Sequence, residues 1–324
     1  MNFLIDQSDY LSKTNTKCLK GVMSVLVLIH HLYQWSGIFR KSLIGAGLQF
    51  LGYLCVGVFF FLSGYGLMQS FQKQGKRYLD TFVRKRITPF YMTMTMFIIM
   101  YLVFLLLVGE RVMGTEIIQS FLFGGTIIMN GWYLQVQLLL YVMFYFIFCF
   151  CSSRNWAMAL TVLASALCMG AMIYLDYGSS WYVSLPLFSV GLIWARYEPQ
   201  IITSLWKGNR WWLTLGTATL FFGIQVLGYM MTSSFRMKNC IITLFEISFV
   251  ICILTAIRRV KIDYKITRFL GSISFEIYAL QGIFLKLFSG INNMNTCMYV
   301  LCVTFATIVT AISIKPIVRK IYAI

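Results

Sequence analysis

The feature that most constrains this chain is a series of apolar stretches, each roughly 20 residues long, recurring along its whole length. At 1.5 Å of rise per residue, such a stretch coiled into a helix crosses a bilayer core of about 30 Å. Hydrocarbon offers no partner to backbone N–H and C=O groups, so only helices or a closed barrel can span it. A barrel would show short alternating segments, and this sequence has none. Composition agrees: 59% of the residues are hydrophobic and 11% charged, with a mean hydropathy of +0.77. A soluble domain carries about a quarter charged residues. The sequence therefore predicts an all-α, polytopic integral membrane protein.

Ten transmembrane helices are expected, at about 18–37, 46–71, 87–108, 131–152, 156–175, 181–197, 211–231, 238–258, 269–289 and 296–318. The stretch from Glu116 to Met129 is too short to cross and is expected to lie in the interface or to re-enter. The loops are short and no internal repeat stands out, so residues 1–324 read as a single membrane domain. No cleavable signal peptide is expected, because the first apolar run lacks a small-residue cleavage site after it.

The net charge is +17, but the basic residues sit in turns between apolar segments and not on a basic helix or tail. That placement sets topology and argues against nucleic acid as a partner. With an even number of spans, Arg40, Lys41, Arg111, Arg236, Lys238 and Lys286 fall on one side, leaving 21 of the 27 Lys and Arg on the other. The asymmetry predicts cytoplasmic N- and C-termini, with the basic face meeting anionic lipid or a phosphorylated ligand. The nine cysteines show no metal-ligand spacing accompanied by histidine, so no metal is expected and small packing residues are.

The only two histidines, His30 and His31, lie in the first span. His31 is about eleven residues from its cytoplasmic end, or roughly 16 Å deep. Ionisable groups at that depth are costly and commonly functional, the alternative being a neutral ring hydrogen-bonded between helices. Adjacent residues point about 100° apart, so one of the pair is expected to face the bundle interior, with Gln34 and Trp35 on the face of His31. Ser63 lies about eight residues, or roughly 12 Å, into the second span and so near the depth of His31. It is either a catalytic hydroxyl or a side chain bonded to its own helix. Gly57, Gly64 and Gly66 beside it permit close helix approach.

Arg84, Lys85 and Arg86 precede Pro89 at the start of the third span and read either as a topology anchor or as a phosphate grip. Trp132 and Tyr133 open the fourth span, either as an aromatic belt or as a sugar-stacking platform. Glu246 and Glu276 are the carboxylates expected inside helices.

Taken together these segments resemble the acyltransferase type 3 family of bacterial membrane acyltransferases. The likeness is carried by Lys20-Gly21 followed by His31, by Phe59 to Leu67 (FFFLSGYGL), by Arg86-Ile87-Thr88-Pro89, by Trp132-Tyr133 and by Phe269 to Leu280 (FLGSISFEIYAL). It spans nearly the full length. The resemblance implies a membrane O-acyltransferase moving a short acyl group, commonly acetyl from acetyl-CoA, to a hydroxyl of a cell-envelope glycan or lipid-linked sugar. It makes His31 the essential histidine and gives Arg86, with Arg84, the donor-binding role. Three positions depart from the family pattern: Lys20 stands for the usual arginine, Val83 for the first arginine of a pair, and Gln281 for a histidine.

No Asp or Glu lies between Asp9 and Asp80, so the first two spans supply no carboxylate to orient His31; Gln34, Ser63 and Glu276 are the candidates for that task. The competing reading is a transporter or glycan exporter that uses the histidine pair for proton coupling.

Overall fold

The computed structural model describes residues 9–207 and 210–323. Among them the chain forms thirteen α-helices and no strand: α1 (Lys13–Ser36), α2 (Leu43–Gln74), α3 (Arg77–Asp80), α4 (Thr88–Leu107), α5 (Gly114–Phe121), α6 (Trp132–Phe150), α7 (Arg154–Tyr174), α8 (Leu185–Trp206), α9 (Arg210–Met231), α10 (Phe235–Ile257), α11 (Lys265–Ser272), α12 (Ser274–Ser289) and α13 (Thr296–Ile321).

Among the described residues seven segments are long and apolar enough to cross a membrane: Ile44–Gln74, Val83–Leu107, Trp132–Phe150, Arg154–Tyr174, Arg210–Met231, Phe235–Ile257 and Thr296–Ile321. The chain is a multi-pass membrane protein. The other three expected spans also coincide with helices, but with less uniform ones. α1 carries Lys13, Lys17, Lys20 and both histidines, α8 carries Arg196, Glu198 and an internal Pro199, and α12 has 16 residues.

Local chemistry sets the helix ends. The Ser12 hydroxyl accepts from the Asn15 amide at 3.1 Å and starts α1, while Ser42 does the same for Gly45 at 3.2 Å to start α2. Between α3 and α4, Val83–Ile87 form a wide turn in which the Thr88 amide bonds back five residues to Val83. Pro89 follows and has no N–H with which to close a tighter turn. α8 bends at Tyr197, where the backbone leaves helical geometry. Pro199 supplies no N–H to the carbonyl of Ala195 four residues back, and Gln72 of α2 donates to that oxygen instead, at 3.0 Å.

Two helix crossings are tight enough to exclude any side chain. A Cβ on Gly64 of α2 would strike the Phe188 carbonyl of α8, and one on Gly191 of α8 would strike the Phe61 carbonyl of α2. Gly21 of α1 and Gly271 of α11 form a second reciprocal pair, each backed against the other helix's backbone. Of the glycines expected to serve packing, Gly66 does not: a Cβ there meets nothing within 4 Å. Gly57 gives way to a side chain, lying against Glu246.

The Glu116–Met129 stretch is not a span. It is the short α5 followed by an irregular segment stitched down by Gln135 of α6, whose Nε2 donates to the carbonyls of Gln119 (2.7 Å), Gly125 (2.8 Å) and Ser120 (3.2 Å). One buried amide thus satisfies a run of non-helical backbone.

A Gly191→Leu substitution is expected to destabilise the α2–α8 crossing by about 1–3 kcal/mol, since the added side chain meets backbone that cannot yield. Gly66→Ala should melt like the parent. Thermal unfolding in detergent checks both, and a parent-like melt for Gly191→Leu would refute the tight crossing.

Candidate active site

Two cavities lie one above the other along the seam between α1 and α2. The larger, 760 Å³, opens at the end that carries Lys13, Lys20, Lys73 and Arg86, and is also lined by Ser63, Gly66, Tyr141 and Glu198. The smaller, 230 Å³, is lined by His30, His31, Gln34, Gln49, Tyr53, Asn130, Trp132 and Tyr278. On α1 the positions 13, 16 and 20 face the first cavity and 27, 31 and 34 the second. That spacing is one continuous helical stripe. Lys20 and His31 are eleven residues apart on it, hence about 16 Å.

The wall between the cavities is polar and aromatic. Gln137 Nε2 donates to Ser63 Oγ at 2.9 Å on the larger-cavity side. The Tyr133 hydroxyl reaches Gln137 Oε1 at 3.5 Å, and the Tyr133 ring lies 5.1 Å from that of Tyr278. Tyr278 in turn borders the smaller cavity and donates to the Asn130 carbonyl at 2.5 Å. Phe59 and Phe60 pack on the Tyr133 ring at 5.9 and 5.0 Å.

Both histidines are 6% exposed, and both border the smaller cavity, with ring centroids 5.1 Å apart. The expectation that one would turn away is corrected: the cavity lies between helices, so two neighbours on α1 can face it while leaning on different partners. His30 leans on α2, where its Nδ1 lies 2.7 Å from the Leu48 carbonyl oxygen. His31 meets the Gln281 side chain of α12. Gln281 Oε1 and His31 Nδ1 are both buried, and each lacks a hydrogen-bond partner among the described residues, while Gln281 Nε2 donates to the Tyr278 carbonyl at 3.1 Å.

The other expected residues divide as follows. Ser63 does not accompany His31; it lines the larger cavity and is held by Gln137 from α6. Arg84, Lys85 and Arg86 do not all line the larger cavity. All three are exposed, and the wide turn brings only Arg86 to the larger cavity, near Tyr78 and Tyr141. Lys20 joins Arg86 there. Among the described residues neither Lys20 nor Arg86 forms an ion pair with a carboxylate.

Trp132 borders the smaller cavity, whereas Tyr133 is packed into the dividing wall. Gln34 stands at that cavity's exposed rim, and Trp35, expected beside it, does not line it. Glu276 does not reach His31. It is fully buried and accepts a 2.9 Å bond from Lys315 of α13. Glu246 is also fully buried, receives the Ser184 hydroxyl and borders neither cavity. Among the described residues there is no cluster of His, Cys, Asp or Glu that could hold a metal ion.

Sequence reasoning treated Gln281 only as a departure from the family pattern. Its place three positions after Tyr278 and four before Leu285, on one helical stripe, was the signal available for it.

A family model described as an acyltransferase domain matches residues 15–315. No curated protein and no solved structure matches the chain. The matched range runs from the first turn of α1 to the last turns of α13 and so contains both cavities and their wall. The chain belongs to the acyltransferase type 3 family and is a multi-pass membrane acyltransferase.

Proposed function

We propose that the protein transfers a short acyl group, acetyl from acetyl-CoA, to a hydroxyl of a cell-envelope glycan or lipid-linked sugar. The observation that carries this reading is the layout of the seam. Lys20 and Arg86, which among the described residues pair with no carboxylate, sit in one cavity, and an imidazole pair sits in another about 16 Å further along α1. A compact donor cannot engage both. A donor whose phosphates and thioester are joined by a long thin arm can, and acyl-CoA has that form. The larger cavity has the size of a cofactor pocket. In it, Arg86 offers a planar fork to phosphate oxygens and Lys20 a point charge.

In this account all ten predicted spans cross the membrane, with both termini and the larger cavity on the cytoplasmic side of the bacterial cytoplasmic membrane. The smaller cavity then faces outward, and Gln34, Gln49, Asn130 and Trp132 give its rim the amides and aromatic surface that suit a sugar. Arg84 and Lys85 contribute to topology and lipid contact instead of gripping the donor.

His31 is the general base. Gln281 Oε1, buried and unpaired beside the ring, is the group placed to close on Nδ1–H when substrate binds, which would leave Nε2 as the proton acceptor and give an amide the orienting task that a carboxylate has in Ser-His-Asp sites. The acceptor oxygen attacks the thioester carbonyl as its proton passes to Nε2; a C–O bond forms and the C–S bond breaks. The departing CoA thiolate then takes the proton. A neutral amide suits this depth, because a buried carboxylate there would add an ionised group to a low-dielectric site. For the arm to arrive, the Ser63–Gln137–Tyr133–Tyr278 wall must part, and Ser63 belongs to that passage. Family membership favours acyl transfer over export as the reading of the histidine pair.

Transfer of label from [14C]acetyl-CoA to the polymer fraction of isolated membranes should fall at least about 100-fold in His31→Ala, the scale expected for loss of a general base. Label near the parent level would reject the assignment. Arg86→Ala should weaken acetyl-CoA binding by about tenfold or more, as loss of a charged hydrogen bond of roughly 1.5–3 kcal/mol implies. Arg84→Ala should bind like the parent in the same titration, and the reverse order would break the donor-site reading.

A further inference from the structure

One buried titratable group beside the reaction centre has no part in the mechanism so far. We infer that His30 is a positioning residue for the acceptor, its Nε2 receiving a hydrogen bond from a hydroxyl of a polyhydroxylated substrate held beside His31. This inference rests on the acyl-transfer reading above.

The Leu48 carbonyl fixes the tautomer of His30. A carbonyl oxygen only accepts, so the 2.7 Å contact requires the hydrogen of neutral His30 to be on Nδ1. Nε2 then carries a lone pair, and no described residue hydrogen-bonds to it. The ring is nonetheless held in place. α2 presents Gly52 to it, and a Cβ at that position would come within 2.6 Å of Nε2. The missing side chain is what lets the imidazole lie against α2 while still bordering the cavity.

The result is a fixed acceptor in a 230 Å³ cavity, with the His31 ring 5.1 Å away centroid to centroid. An acceptor open only to this cavity takes its hydrogen bond from whatever occupies the cavity. A substrate with one hydroxyl for His31 and another for His30 satisfies both rings at once. A molecule with a single hydroxyl leaves one of them unmet. The site therefore favours a polyol such as a sugar ring over a simple alcohol.

Two amide substitutions separate this role from a merely structural one. In His30→Asn the shorter amide reaches the Leu48 carbonyl from the place of Nδ1 but offers nothing where Nε2 stood. In His30→Gln the longer amide puts an oxygen near the place of Nε2 and gives up the Leu48 bond. The assay is transfer from [14C]acetyl-CoA to the polymer fraction of isolated membranes, with binding of acetyl-CoA measured in parallel to show that the fold and donor site survive. The expected result is unchanged donor binding, a tenfold or greater loss of transfer in His30→Asn, and retention of at least a third of it in His30→Gln.

The reverse order would make His30 an N–H anchor for α2 and nothing more. Equal activity in the two variants, high or low, would likewise overturn the proposal. His31→Ala assayed alongside keeps the two readings apart. Transfer surviving there sinks the acyl-transfer mechanism itself. Transfer lost there, with His30→Asn fully active, sinks only the role given to His30.

Discussion

The architecture depends on the closeness of two helix crossings. Between helices in lipid there is little hydrophobic drive, since acyl chains are as apolar as leucine, so association falls to close packing and internal hydrogen bonds. Gly64 against Gly191 and Gly21 against Gly271 bring backbone onto backbone, α2 to α8 and α1 to α11. With those contacts made, the polar stripes of α1 and α2 are turned inward and face α6 and α12 across the seam. Lys20, His30, His31 and Ser63 are on those stripes, and Gln137, Tyr278 and Gln281 lie across from them. A side chain at any of the four glycines would meet the backbone of the facing helix.

The second constraint is the absence of water to satisfy exposed polar groups at depth. The chain meets it with side-chain amides used as connectors. Gln72 takes the carbonyl that Pro199 cannot serve, Gln135 ties down the irregular segment after α5, and Gln137 holds Ser63. Gln281 stands at His31 in the same capacity. These amides carry no charge, so they organise the interior without the desolvation cost of an ion. The buried Glu276 needs Lys315 beside it to be tolerated.

Much of this was legible in the sequence, and the reasons for the remainder are geometric. Apolar length gave the helices, because hydrocarbon thickness leaves little choice. The stripe through Lys20 and His31 was readable because helical spacing aligns them. Tertiary facts decided what periodicity could not. Whether His30 faces a cavity depends on what α2 places opposite it, and only Gly52 allows the ring to settle there. Arg84, Lys85 and Arg86 are adjacent in sequence, but a wide turn separates their directions. Equal depth suggested that Ser63 and His31 would meet, yet α6 and α12 fill the space between them with Tyr133 and Tyr278. Glu276 is near His31 along α12 but turned toward α13.

The account's central claim is that one extended donor occupies both levels of the seam, phosphates below and acyl end above. The direct measurement is an experimental structure of the protein with a non-hydrolysable acetyl-CoA analogue, in which the ketone replaces the thioester. The account predicts phosphate density against Lys20 and Arg86, the pantetheine arm running past Ser63 through the parted Tyr133–Tyr278 wall, and the acetyl carbonyl beside His31. Density for the analogue outside this seam, or with its acetyl end pointing away from His31 behind a closed wall, would contradict it.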